Sequence, residues 1–140
     1  MGLVLDTSVL VGAERGRFDL GAFLEKEEAA DPIYLTTITA SELLHGVERA
    51  EGARRLRRSD FVEDLLADIA ILPFDLSAAR VHARLWAELE RQGTPIGPHD
   101  LMIGAISLAL GHRVATLNRK EFDRISGLEM APTDPYQLRA

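Results

Sequence analysis

Short, wholly apolar runs that stop abruptly on helix-capping residues constrain this chain more than any other feature of its sequence. Leu3-Val4-Leu5 ends at Asp6-Thr7-Ser8, residue types that favour helix N-caps, so a strand is expected to pass straight into a helix. The order repeats. A helical stretch near 18–30 is broken by Asp31-Pro32, and the β-leaning run Ile33-Tyr34-Leu35-Thr36 follows. Thr39-Ala40-Ser41-Glu42 then has the form of a capping box and opens a helix through about Glu51. Strands without a polar side must be covered on both faces. Alternation with helices makes the expected fold class α/β: a three-layer α/β/α domain whose short, mainly parallel sheet is flanked by helices.

The rest of the chain keeps this rhythm. Leu56, Val62, Leu65, Leu66 and Ile69 follow helical spacing over 54–70, and Ile71-Leu72-Pro73-Phe74 is a short strand candidate. Asp75 starts a helix with the inner stripe Ala78, His82, Leu85, Trp86 and Leu89, ended by Gln92-Gly93. Pro98 opens a helix to Leu110 that Gly111 closes, and its apolar residues cover most of its circumference. That helix must be buried on nearly all sides. Val114-Ala115-Thr116-Leu117 predicts a buried strand, Asn118 caps another short helix, and Leu128-Glu129-Met130 predicts a last strand. With 140 residues and no linker or repeat, residues 1–140 are expected to form one domain.

No apolar run approaches the roughly 20 residues that cross a bilayer, and MGLVLDTSVL lacks the basic start of a secretion signal, so a cytoplasmic protein without membrane contact is expected. The absence of cysteine excludes disulfides, thiolate zinc sites and cysteine nucleophiles. Any metal must be held by oxygen or imidazole. The formal charge of −6 argues against a broad basic face for nucleic acid, unless acids converge on cations that reverse the local field.

Ligands of open parallel sheets bind outside the carboxyl ends of the strands. Asp6, Glu42 and Asn118 all fall on that edge, and Asp100 stands in the first turn of the buried helix. Each has a plain structural explanation, as an N-cap, a capping-box acceptor or an acid facing a helix dipole. Asp100 fits it least, because a free carboxylate heading an apolar helix costs several kcal/mol unless compensated. A hard divalent cation is the usual compensation for converging carboxylates. Mg²⁺, or Mn²⁺ in its place, takes one or two carboxylates directly, here Asp6 and Asp100, with Glu42 and Asn118 acting through water. The chemistry that follows is phosphodiester cleavage by activated water. Thr7, Ser8 and Thr116 are hydroxyls on the same edge suited to orienting water or phosphate, or equally to capping.

Four ordered motifs carry a resemblance: Val4-Leu5-Asp6-Thr7-Ser8-Val9-Leu10, Thr39-x-x-Glu42-Leu43-x-x-Gly46, Asp100-Leu101-Met102-Ile103-Gly104-Ala105, and Ala115-Thr116-x-Asn118-x-x-Glu121-Phe122. From residue 3 to about 131 the chain resembles the PIN-domain family, and within it the VapC-type toxins. The resemblance implies a metal-dependent ribonuclease that acts as the toxin of a toxin–antitoxin pair, is restrained by a cognate antitoxin and forms a homodimer. It implies that Asp6, Glu42 and Asp100 are the acidic metal-binding core. Asn118 occupies the fourth place, where many relatives have Asp, which leaves one versus two metal ions open. The competing expectation is a catalytically idle binding module working with a partner in transcriptional control.

Other candidates carry less. Arg54, Arg55, Arg57 and Arg58 form the densest basic cluster, for which a solvated helix face is the simpler reading and RNA contact the alternative. Arg119 and Lys120 are better placed for substrate, while Arg80, Arg84 and Arg91 suit a solvated face. No H-E-x-x-H motif, P-loop or dinucleotide fingerprint is present, and Glu42-x-x-His45 lacks the second element that a di-iron bundle needs.

Overall fold

The computed structural model describes residues 1–139. Its first strand, β1 (Leu3–Leu5), is wholly buried, as three apolar residues in a row require. It runs into α1 (Thr7–Glu14), whose N-cap is Asp6. α2 (Leu20–Glu27) is shorter than the 18–30 stretch expected, and β2 (Ile33–Thr36) follows Asp31-Pro32. Then come α3 (Thr37–Arg49), α4 (Gly52–Asp68), β3 (Ala70–Leu72), α5 (Leu76–Gln92), α6 (Pro98–Ala109), β4 (Arg113–Ala115) and the single turn α7 (Arg119–Phe122).

The sheet has the order β3-β2-β1-β4, and every pairing is parallel. The chain therefore builds outward from β1 to β2 and β3, then crosses back to lay β4 on the other side of β1. That reversal makes the β1–β4 boundary the switch point where a crevice opens at the carboxyl ends. Leu5 is in register with Ala115, so Asp6 and Thr116 emerge side by side.

Because strand side chains alternate, β1 feeds two cores. Leu3 and Leu5 join Val9, Leu10, Phe23, Leu35 and Val62 on one face, and Val4 joins Leu85, Ile103, Val114 and Phe122 on the other. The three layers are therefore helices, sheet and helices. Phe18, Phe23 and Tyr136 pack with ring centroids 5.0–6.0 Å apart and close the first core. No helix among the described residues is long and apolar enough to cross a membrane.

Several boundaries differ from expectation for local reasons. The capping box is not used: α3 starts earlier, because the Thr36 hydroxyl accepts from Thr39 N at 3.1 Å, which moves Glu42 into the second turn. β3 stops at Leu72, before Pro73, which has no N–H for a ladder. The expected 128–130 strand shrinks to one parallel bridge, Val114 with Met130. Leu56 and Trp86, both placed on buried stripes, are exposed at 69% and 55%. Trp86 instead packs beside His82, which meets Phe74 edge-on.

Candidate active site

Asp6 is the anchor of the carboxyl-end crevice. It is 1% exposed, yet it accepts hydrogen bonds on Oδ2 from Ser8 Oγ at 2.6 Å, Thr116 Oγ1 at 2.8 Å and Ser8 N at 3.4 Å. Burial pushes its carboxyl above the ordinary value, and these donors pull it back down. Both hydroxyls are themselves fixed by the next loop, since Leu117 N donates to Ser8 Oγ at 2.9 Å and Asn118 N to Thr116 Oγ1 at 2.9 Å. The parallel β1–β4 pairing thus supplies the two donors that hold one buried acid.

Glu42 reaches the crevice from α3. Its Oε1 accepts from Thr7 Oγ1 at 2.7 Å, and Thr7 also lies 3.0 Å from Thr39 Oγ1. Its other oxygen is 3.4 Å from His99 Nδ1. The hydroxyls of Thr7, Ser8 and Thr116, expected to orient water or phosphate, are thus engaged in holding Asp6 and Glu42.

Asp100 is half-buried on the first turn of α6, and its carboxyl is pushed up to about 7. Burial is the largest cause, followed by a hydrogen bond with Glu121 and then by the negative charges of Asp6, Glu121 and Glu42. Four acids from α1's cap, α3, α6 and α7 therefore share one field. A proton held between Asp100 and Glu121 relieves their repulsion, and a cation would relieve it equally.

Asn118 borders this set through its backbone, whose N–H donates to Thr116 Oγ1. It occupies the N-cap position of α7, makes no side-chain capping bond and is exposed. The carboxylate on α7 that meets Asp100 belongs to Glu121, which stands in the fourth sequence motif but is given no role in the site there. A signal for it exists, an acid in the first turn of the helix that follows the last strand. Asn118 is the more conspicuous of the two because it comes sooner after that strand. Arg119 is committed to the Ala131 carbonyl at 2.9 Å, whereas Lys120 is exposed.

The mouth of the crevice is an open depression of about 310 Å³ lined by Glu42, Gly97, Pro98, His99 and Asp100. Its donors are hard carboxylate oxygens, which suit Mg²⁺-like ions better than soft metals. Among the described residues no three acids or histidines stand close enough to ligate one ion together. The donor set therefore fits an ion that keeps most of its waters and takes one or two carboxylates directly.

Known proteins share this fold. The model of the PIN domain family matches residues 3–128. Ribonuclease VapC1 of Rickettsia felis is 35% identical over 93% of this chain and 95% of its own length. The tRNA(fMet)-specific endonuclease VapC of Shigella flexneri is 34% identical over 67% of this chain and 70% of its own. Among solved structures, VapBC2 of Rickettsia felis bound to a DNA fragment from its promoter superposes with a TM-score of 0.85 at 26% identity, covering 94% of this chain and 98% of the other. DNA-bound VapBC of Salmonella typhimurium gives 0.83 at 28% identity, covering 94% and 97%. The chain belongs to the PIN-domain family, among the VapC ribonucleases.

Proposed function

We propose that this chain is a divalent-metal-dependent ribonuclease, the toxin of a toxin–antitoxin pair, with Asp6, Glu42, Asp100 and Glu121 as its acidic centre. The observation that carries the site assignment is the convergence of carboxylates from four separate elements on one crevice, with Asp6 buried at the end of β1, Glu42 and Asp100 lining the mouth, and Asp100 pushed up to about 7 by burial, by Glu121 and by the charges of Asp6 and Glu42. Sites that hold such groups together are built for a cation.

Asp6 and Asp100 are the residues that would hold Mg²⁺, or Mn²⁺ in its place, with Glu42 acting through a water of the ion. When bound, the ion supplies Lewis-acid polarisation of a phosphodiester and lowers the pKa of water at the cleft. Ser8 and Thr116 keep the buried Asp6 carboxylate in one orientation, and Thr7 does the same for Glu42. His99, exposed, lines the mouth of the crevice beside Glu42, where a polyanion would approach. Glu121 stands in the fourth acidic position in place of Asn118.

A partner antitoxin and a homodimer belong to the same proposal. The VapBC complexes among the structural relatives support the first, and the resemblance to VapC-type toxins the second. The test is cleavage of a total RNA extract by the purified chain, with Mg²⁺ and with EDTA. Asp6→Asn is expected to abolish Mg²⁺-dependent cleavage while the folded spectrum persists. Equal cleavage by wild type and Asp6→Asn, or none by wild type, would leave the idle binding module as the better reading.

A further inference from the structure

Two adjoining depressions lead away from the acidic crevice. The nearer, about 160 Å³, is lined by Glu42, Leu10, Val11 and Arg49 among others, and the farther, about 450 Å³, by Ala13, Arg54 and Arg57. They share Glu14, Arg15, Arg58 and Phe61, so they form one groove between α1, α3 and α4 with an end at Glu42. Arg54, Arg57 and Arg58 sit at i, i+3 and i+4, and a helix puts those positions on one face. Arg55 turns away to Glu48 at 3.4 Å.

Within the groove the arginines have different states. Arg58 is fixed in the floor by Glu14 at 3.1 Å and the Gly46 carbonyl at 3.2 Å. Arg15, Arg54 and Arg57 are exposed, and none of them enters an ion pair among the described residues. In a chain of net charge −6, the unpaired guanidiniums of Arg15 at the end of α1 and of Arg54 and Arg57 on α4 line one depression, where they repel one another and gain most from an anionic occupant. Phe61 is half-buried and borders both halves of the groove, which adds an aromatic surface to a basic track. That combination suits a single strand of nucleic acid, with phosphates on the arginines and a base against the ring.

We propose that the groove bounded by Arg15, Arg54, Arg57, Arg58 and Phe61 is the track along which single-stranded RNA flanking the scissile bond is held. This deepens the nuclease reading and rests on it. Of the two readings of the arginine cluster, this proposal takes RNA contact for Arg54, Arg57 and Arg58, while Arg55 pairs with Glu48.

The test compares wild type with the double variant Arg54→Glu, Arg57→Glu, on single-stranded RNA oligomers of about 20 and about 4 nucleotides. A matched charge reversal on α5, Arg80→Glu with Arg91→Glu, serves as control. The expected result is a fall of about tenfold or more in the ratio of kcat/KM for the long over the short oligomer, with the control ratio unchanged. In an Asp100→Asn background, the slope of log Kd against log salt for the long oligomer should shrink by about 1 to 1.5, at roughly 0.7 for each phosphate that is no longer neutralised. An unchanged ratio in an active enzyme, or an equal fall in the α5 control, overturns the proposal. So does a groove variant that keeps its RNA behaviour but loses affinity for an acidic peptide, which would assign the groove to a protein partner. If wild type cleaves neither oligomer the nuclease reading itself fails, and the salt slope decides the groove independently.

Discussion

Asp6 and Asp100 are both driven toward protonation by burial, but they are held in different ways. Asp6 is kept by neutral donors, so Thr116→Val removes a bond from a buried acceptor and should cost about 1–3 kcal/mol in urea melts, with cleavage also reduced. Asp100 has acidic neighbours instead, and burial together with them pushes its carboxyl up to about 7. Its folded value lies above the ordinary 3.8, so the folded, metal-free chain keeps a proton there where the unfolded chain has lost it. The resulting stabilisation is complete below about pH 4 and is lost as pH rises through about 7. Metal-free wild type should therefore lose Tm between pH 5 and pH 8, and Asp100→Asn should lose distinctly less over that interval. The fourth acid is tested separately. Glu121→Gln should lower kcat by roughly 10²–10³-fold, the scale of losing one electrostatic group in a site, while Asn118→Ala leaves kcat within a few-fold. Asp6 and Asp100 are legible in the sequence because the first ends an apolar run and the second heads one. Glu121 is not, since a carboxylate in the first turn of a short helix looks like ordinary dipole compensation.

At the scale of elements, α6 decides where Asp100 stands, and α6 is placed by close packing. Gly104 lets Ile125, itself 2% exposed, lie against the helix, and a Cβ at that position would run into Ile125 Cδ1. Gly104→Ala sets a helix-propensity gain of about 1 kcal/mol against overpacking of about 1–3 kcal/mol. A net loss of about 1 kcal/mol is expected, read as a lower denaturant midpoint with an unchanged slope. Strand-to-helix order was readable throughout, because Leu3-Val4-Leu5, Ile33 to Thr36 and the turn at Gly111 (φ 72°) each signal themselves locally. What escaped were choices made by tertiary context. Two hydroxyls compete to cap α3, and Thr36 wins because it already ends β2 in the extended conformation that a cap requires. Trp86 matched a buried stripe in spacing, yet α5 turns Leu85 and Leu89 to the core and leaves the indole outside.

For the whole molecule, the overall charge of −6 conceals a division of labour between acids gathered at one end of the sheet and arginines along the adjoining groove. Sheet order explains the first gathering: placing β4 beside β1 brings Thr116 and α7 to Asp6, while α3 and α6 deliver Glu42 and Asp100 from opposite faces. The central claim is that these carboxylates form one cation site. It is tested most directly by the melting temperature of the metal-free protein at pH 8 as Mn²⁺ is added, in wild type and in Asp100→Asn. A cation held by the cluster predicts a saturable rise in Tm for wild type that is lost or strongly reduced in Asp100→Asn. Identical rises in the two proteins, or no rise in wild type, would contradict it.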